Sequence, residues 1–195
     1  MKKSIEVKNA IVESAQIIFN KYGFERTTME LIANEAGKGK STLYYYFKNK
    51  EEIYVAVVEK EWKFLQNETL KVINQNVDIK TIFENFSLKR FRLAGKVTNY
   101  SEAMTNKYSK HNALIRETVK KYTELEVLAV KQRLLKGIAN NELRIKEDDV
   151  DEIAMSISVT IKGLEAPFII EDINSTLERK LKILLNLLFY GLIKQ

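Results

Sequence analysis

The chain has 195 residues, 45% of them hydrophobic, with one proline, seven glycines and no cysteine. This composition predicts one or two folded domains rather than a disordered chain. The absence of cysteine excludes disulfides, thiolate metal sites and a cysteine nucleophile, and it fits a reducing cytoplasm. Because no window of about 18 apolar residues occurs, we expect no membrane-spanning helix.

The net charge of +6 is concentrated near the start of the chain. Residues 1–50 hold nine Lys and Arg against five Glu. A cluster of positive charge in one part of a chain is typical of a protein that binds a polyanion.

The first predicted helix runs from about Ser4 to Tyr22 and ends at Gly23. Its apolar residues recur at helical spacing and define one buried face: Ile11, Ala15, Ile18, Phe19 and Tyr22. We expect Phe24 to join a small core with Phe19, Leu31, Leu43 and Phe47.

Two short helices follow, separated by a glycine turn. Thr27 and Glu30 have the spacing of a capping box at the start of the first of these helices. Gly37 follows its last apolar residue, where a left-handed backbone is needed. The next helix spans about Lys40 to Phe47. Two helices joined by a short turn that contains glycine predict a helix-turn-helix.

The second short helix has two faces. At about 100° per residue, Leu43 and Phe47 point to one side. The opposite face presents small hydroxyls, phenols and a cation, which suit phosphate oxygens and base edges. The N-terminus of the helix adds backbone N–H groups. Tyr46 lies between the faces, and packing against neighbouring helices remains the alternative role for the tyrosines.

Residues 28–52 carry a longer pattern with fixed spacing. Its parts are Thr28, Ile32-Ala33, Ala36-Gly37, Thr42-Leu43-Tyr44-Tyr45-Tyr46-Phe47 and Lys48-Asn49-Lys50-Glu51-Glu52. The pattern resembles the DNA-binding domain of TetR-family transcriptional regulators over about the first quarter of the chain. The chain departs from this pattern in two places. The family usually has an apolar residue where this chain has Lys38. It often has Ser and then Lys-Gly where this chain has Gly39-Lys40-Ser41.

The resemblance and the two faces together predict the DNA contacts. Within this set, Thr27, Thr28, Lys48 and Lys50 are expected mainly to hold phosphates. The predicted DNA-binding residues are Thr27, Thr28, Lys38, Gly39, Lys40, Ser41, Thr42, Tyr44, Tyr45, Tyr46, Lys48 and Lys50.

The rest of the chain shows only helical periods, so we predict an all-α protein of about nine helices. A head of residues 1–49 precedes an effector-binding and dimerisation domain of residues 50–195. Helix four starts at an Asn49–Glu52 cap and links the two. Further helices are expected at about 78–96, 98–108, 112–139, 148–166 and 175–192, with Pro167 ending or kinking the penultimate one.

The resemblance implies a small-molecule pocket among the middle helices, for a hydrophobic or aromatic effector. A plain helical core is the alternative. The candidate pocket residues are Trp62, Phe83, Phe86, Phe91, Tyr100, Met104 and Tyr108. With one histidine and no cysteine, we expect no metal site, no cofactor and no catalytic triad.

The last helix is apolar around nearly its whole circumference, which predicts burial on all sides. Pairing with the penultimate helix in two chains would form a four-helix bundle, and a homodimer implies a near-palindromic DNA operator. The predicted interface residues are Ile153, Ile157, Ile161, Leu164, Phe168, Leu177, Leu181, Leu184, Leu188 and Leu192.

Three functions are consistent with these features. The leading one is a repressor released from DNA by a small hydrophobic effector. The second is a DNA-binding regulator without such an effector. The third, a helical carrier or enzyme for a hydrophobic ligand, leaves the basic head unexplained.

Overall fold

A computed structural model describes residues 2–73, 75, 77–94, 96–105, 113–170 and 175–190. These residues form nine α-helices and no β-strand, as the sequence predicts. The helices are α1 (Lys2–Arg26), α2 (Met29–Glu35), α3 (Lys40–Tyr46), α4 (Lys50–Ile73), α5 (Ile79–Ala94), α6 (Thr98–Thr105), α7 (Ala113–Ala139), α8 (Val150–Ile170) and α9 (Ser175–Tyr190).

The chain forms two compact units. The first comprises residues 1–63 and 97–120, and the second comprises residues 64–96 and 121–195. The predicted head of residues 1–49 lies within the first unit. The functional division at residue 50 stays a prediction.

The interior of the first unit contains an aromatic cluster. The Phe19 ring stacks on Phe24 at a centroid distance of 6.0 Å and meets Tyr54 edge-on at 5.0 Å. The backbone that places Phe24 there departs from the helix at Gly23, whose φ of 73° and ψ of 168° suit glycine. The predicted end of the first helix at this glycine therefore marks a real break.

Local capping confirms one predicted helix start and corrects another. Asn49 Oδ1 accepts the Glu52 N–H at 2.9 Å, and Glu52 Oε2 accepts the Lys48 N–H at 2.8 Å, so α4 begins with the predicted cap. At α2, however, the cap is Thr28, which accepts the Leu31 N–H at 3.3 Å.

The prediction of Thr27 as the cap of α2 is wrong. Its side chain is 1% exposed and donates to the carbonyl of Gly23 at 2.7 Å. Thr27 therefore closes the bend at the end of α1 instead of starting α2.

In the second unit, Asp78 caps α5 as predicted by accepting the Thr81 N–H at 2.9 Å. The core of this unit joins α5, α7 and α8 through Phe83, Phe91, Val130, Leu134, Val150 and Ala154. The expectation that α8 ends near Ala166 is wrong, since the helix extends past Pro167 to Ile170.

An ion triad joins α4 to α5 within the second unit. The Glu68 carboxylate lies against the amines of Lys71 and Lys89, with Lys89 Nζ at 2.7 Å. The hydrogen bonds from Lys71 and Lys89 lower the pKa of Glu68 to about 2.

Glu68→Gln should reduce the amount of unfolding free energy that the protein loses as the pH falls. A lowered carboxyl pKa contributes stability above the unfolded value of 4.5, and this contribution is lost as pH falls toward about 2. Urea unfolding from about pH 5.5 to about pH 3 should therefore show the unaltered protein losing more free energy of unfolding than the variant. Parallel pH curves would contradict the role of the triad.

Candidate nucleic-acid interface

Helix α3 is held in place by its apolar side. Leu43 is 0% exposed and Phe47, which ends the helix, is 4% exposed. A helix of seven residues is unstable alone, so this burial fixes its position. The residues on its other side are therefore exposed to solvent on a helix whose position is fixed.

The exposed side of α3 carries the predicted tyrosines. Tyr45 is 80% exposed and Tyr44 is 48% exposed. Tyr46 is half-buried, as expected for a residue between the faces, and its ring meets the Tyr45 ring edge-on at 5.0 Å. Because aromatic side chains bury a large apolar area on contact, exposed tyrosines next to one another suit a binding surface.

The turn before α3 adds small and basic groups to the same surface. Lys38, Gly39, Lys40 and Ser41 are exposed, and Thr42 is half-buried. Gly39 is the N-cap of α3 and supplies no side-chain hydrogen bond there. The structure thus brings residues 38–42 and 44–46 together on one surface, which we call the α3 surface.

Lys40 is paired within the chain. Its amine donates to the Glu30 carboxylate of α2, and this bond raises the pKa of Lys40 and lowers that of Glu30. The pair links the two helices of the motif. A phosphate that reached Lys40 would compete with Glu30.

Two predicted phosphate contacts are corrected by the structure. Thr27 is buried, and its hydroxyl is used within the chain. The Lys50 amine donates to the carbonyls of Phe24 at 2.7 Å and Glu25 at 3.3 Å, and it lies 4.4 Å from the centre of the Phe24 ring. Lys50 therefore caps the C-terminal end of α1. Lys48 is exposed, and so is Thr28, whose hydroxyl caps α2.

Lys50→Ala should destabilise the protein, because it leaves two carbonyls at the end of α1 without their charged donor. We expect a loss of about 1–3 kcal/mol in the free energy of unfolding, measured with urea. The matched variant Lys48→Ala removes an exposed amine and should change stability by less than about 0.5 kcal/mol. Equal stabilities for the two variants would contradict the capping role.

The predicted effector-pocket residues that the structure describes are all buried in the core of their own unit. Trp62 and Tyr100 belong to the first unit at 7% and 1% exposure, and Phe83, Phe86 and Phe91 belong to the second. Phe86 packs in a cluster with Val72 and Ile161. The Met104 side chain and Tyr108 lie outside the described residues, and the effector pocket stays a prediction.

A cleft between α1 and α4 was not found by sequence reasoning. Its volume is about 470 Å³. It is lined mostly by charged and polar side chains, and Lys60 Nζ lies 3.7 Å from Glu13 Oε1 in its wall. No sequence signal marks it, because its walls come from residues far apart in the chain.

Three of the predicted dimer residues on α8 have described side chains, and these pack at least partly against the core of their own chain. Ile161 is 3% exposed in a core cluster, and Ile153 and Ile157 pack against the core. Of the described side chains of α8, the apolar ones that are exposed are Met155 at 46% and Val159 at 57%. Ile161 therefore belongs to the core of its own chain, Ile153 and Ile157 are partly buried against that core, and the dimer interface stays a prediction.

Among the side chains of α9 that the structure describes, three apolar ones are exposed. Ile183, Leu184 and Leu187 are 52%, 36% and 67% exposed. Of the predicted residues, Leu184 is thus on an exposed face. The side chains of Leu164, Phe168, Leu177, Leu181, Leu188 and Leu192 lie outside the described residues.

Within the described ranges, none of the helices has the length and apolar character needed to cross a membrane.

Sequence comparison matches residues 11–57 to the family described as bacterial regulatory proteins, tetR family. The uncharacterized HTH-type transcriptional regulator YhgD of Bacillus subtilis (strain 168) is 47% identical over 51 residues, which are 26% of this chain and 27% of that protein. The chain therefore matches about a quarter of the length of this curated relative.

Solved structures share the fold over nearly the whole chain. SmeT, the repressor of the Stenotrophomonas maltophilia multidrug efflux pump SmeDEF, has a TM-score of 0.74 at 20% identity and covers 96% of this chain and 91% of its own. SmeT is also known in a complex with triclosan. FadR of Bacillus subtilis, in complex with stearoyl-CoA, has a TM-score of 0.74 at 23% identity. The match covers 93% of this chain and 97% of the FadR chain.

Proposed function

Residues 11–57 belong to the tetR family of bacterial regulatory proteins, and from this premise we propose that the protein is a sequence-specific DNA-binding regulator that represses transcription. It acts in the cytoplasm, where it meets the chromosome. The α3 surface enters the major groove, and flanking cations contact phosphates.

The observation that carries this proposal is the exposure of Tyr45 beside a fully buried Leu43 on a helix of seven residues. The buried side fixes the helix, and the exposed side offers phenols, hydroxyls and amines to a partner. Base edges and phosphates accept hydrogen bonds from each of these groups. A carrier or enzyme for an apolar ligand would have no use for this surface.

Tyr45→Ala should weaken binding to the specific site by about 1–3 kcal/mol. The site is first obtained by selecting bound duplexes from a random pool with the unaltered protein, and affinities are then measured by gel retardation. Because Tyr45 is 80% exposed, its loss should leave the free energy of unfolding unchanged. Parent-like affinity of the variant for the selected duplex would contradict this role of α3.

Lys48→Ala separates phosphate contact from base reading. Removing one exposed cation should weaken selected and random duplexes alike and reduce the slope of log affinity against log salt by about one. A variant that loses affinity only for the selected duplex would assign Lys48 to base reading instead.

We further propose that a small hydrophobic or amphipathic effector releases the protein from DNA. Support comes from the ligands of two structural neighbours, triclosan for SmeT and stearoyl-CoA for FadR. Such a ligand must bind the DNA-incompetent state more tightly, since equal affinity for both states shifts nothing.

We also propose that two copies associate through the exposed apolar faces of α8 and α9. Met155 and Val159 are four residues apart, as are Ile183 and Leu187, so each helix has an apolar stripe. Isologous pairing of these stripes buries them, and the resulting dimer carries two α3 surfaces, one for each half of a near-palindromic site.

Leu187→Glu should convert the dimer to a monomer, because a charge would replace an apolar side chain that is 67% exposed in the single chain. Sedimentation at micromolar concentration should give about 22.7 kDa for the variant and twice that for the parent. Leu128→Glu, at a site 48% exposed on α7, is the matched control and should remain dimeric. A monomeric parent would refute the proposed dimer.

A further inference from the structure

A carboxylate lies directly beside the α3 surface. Glu30 is in the first turn of α2, and its side chain accepts a bond from the amine of Lys40, the first residue of α3. Both side chains are about half exposed, so an approaching duplex reaches the pair. Glu30 is thus an acidic group bonded to a residue that the proposed function places on DNA.

The fold holds this pair in place. The turn between α2 and α3 is closed by the Lys38 N–H, which donates to the carbonyl of Ala33 at 3.0 Å. Gly37 has a φ of 60°, a left-handed conformation that favours glycine. On either side of the turn, Ile32 of α2 and Leu43 of α3 are fully buried. The two helices therefore have a fixed relative position, and their facing charges do too.

The acceptors that Lys40 meets on DNA differ in charge. An ammonium group has three N–H donors, so the amine can keep its bond to Glu30 and still donate to a second acceptor. Acceptors on base edges, such as O6 and N7 of guanine, are neutral, whereas phosphate oxygens carry negative charge. A carboxylate beside the amine therefore repels a phosphate but not a base edge, because like charges placed together are unfavourable.

We propose that Glu30 is a specificity-determining residue, which hinders Lys40 from binding phosphates and leaves its amine available to a base edge. This inference rests on the proposed function. Phosphate contacts carry no sequence information, so an unrestrained Lys40 would strengthen the binding of every duplex. Glu30 increases the ratio of specific to non-specific affinity by introducing repulsion against the wrong acceptor.

Glu30→Gln tests this role, because it removes the charge and keeps the length of the side chain. Gel retardation is performed with the selected duplex and with a random duplex over a range of salt concentrations. Affinity for the random duplex should rise about two- to fivefold, the range of an exposed ion pair. The slope of log affinity against log salt on this duplex should steepen by about one, since one phosphate contact is gained. Affinity for the selected duplex should rise less.

Glu35→Gln is the matched control. Glu35 is exposed at the other end of α2, and the Lys40 amine bonds Glu30 instead. Both variants lose one negative charge from the same helix, so a general gain from the higher net charge would appear in both. The control should keep the parent's ratio of selected to random affinity and the parent's salt slope.

A second background separates the ion pair from direct repulsion between Glu30 and DNA. Lys40→Gln removes the amine, and Glu30→Gln is then added to it. Without the amine, loss of the Glu30 charge should change the affinity for the random duplex no more than Glu35→Gln does. A gain of the original size in this background would overturn the proposal, because the effect would not pass through Lys40.

The pair is also measured without DNA. The bond to Glu30 raises the pKa of Lys40, so Glu30→Gln should lower this pKa. Carbon NMR of the lysine Cε atoms follows the titration, and the signal of Lys40 is the one that Lys40→Gln removes. Equal pKa values for Lys40 in the parent and in Glu30→Gln would overturn the proposal whatever the DNA measurements give.

Failure of the proposed function and failure of this inference give different results. A parent protein that binds selected and random duplexes equally defeats both. A parent that discriminates between them, but whose Glu30→Gln variant has the affinity ratio and salt slope of Glu35→Gln, defeats the role of Glu30 alone. A lower ratio in Glu30→Gln only, which depends on the presence of Lys40, supports the proposal.

Discussion

The burial of Leu43 beneath α3 is the interaction on which the proposed function depends. A helix of seven residues has too few internal hydrogen bonds to form alone. Its position comes from the apolar core under it, where Leu43 is 0% exposed and Phe47 4% exposed. That anchoring lets Tyr45 stay 80% exposed on a rigid element, so a binding partner would not have to order it.

Local features of the fold were predictable from sequence, and features set by distant residues were not. The caps at Asn49 and Asp78 follow from residues three apart, and both form. Thr27 and Thr28 are both suitable residues for the N-cap of α2. Thr28 takes that role because the Thr27 hydroxyl is bonded to the carbonyl of Gly23 at the bend of α1. The role of Lys50 was hidden because its acceptors, Phe24 and Glu25, lie about half the head away in sequence.

Helix α8 shows why an apolar pattern does not assign a partner. Its inward isoleucines recur every four residues, and so do Met155 and Val159 on an exposed face. Both stripes satisfy the helical period. Sequence alone predicts two apolar faces but cannot tell which one meets the chain's own core. The effector-pocket prediction has a similar weakness. Aromatic side chains suit a hydrophobic core and a ligand site equally well, so their presence does not distinguish the two.

The hydrogen bonds that Gln16 of α1 and Asn99 of α6 donate to the buried Glu61 of α4 could not have been predicted, because the three residues are far apart in the chain and none has an unusual sequence context. The central claim, that the α3 surface reads DNA, is tested most directly by photocrosslinking to the selected duplex with iodouracil in place of thymine. Trypsin would release most of α3 as residues 41–48, which hold the three tyrosines of the α3 surface. The account predicts that this peptide carries a crosslink from a base inside the selected site. Crosslinks confined to peptides outside residues 27–48 would contradict it.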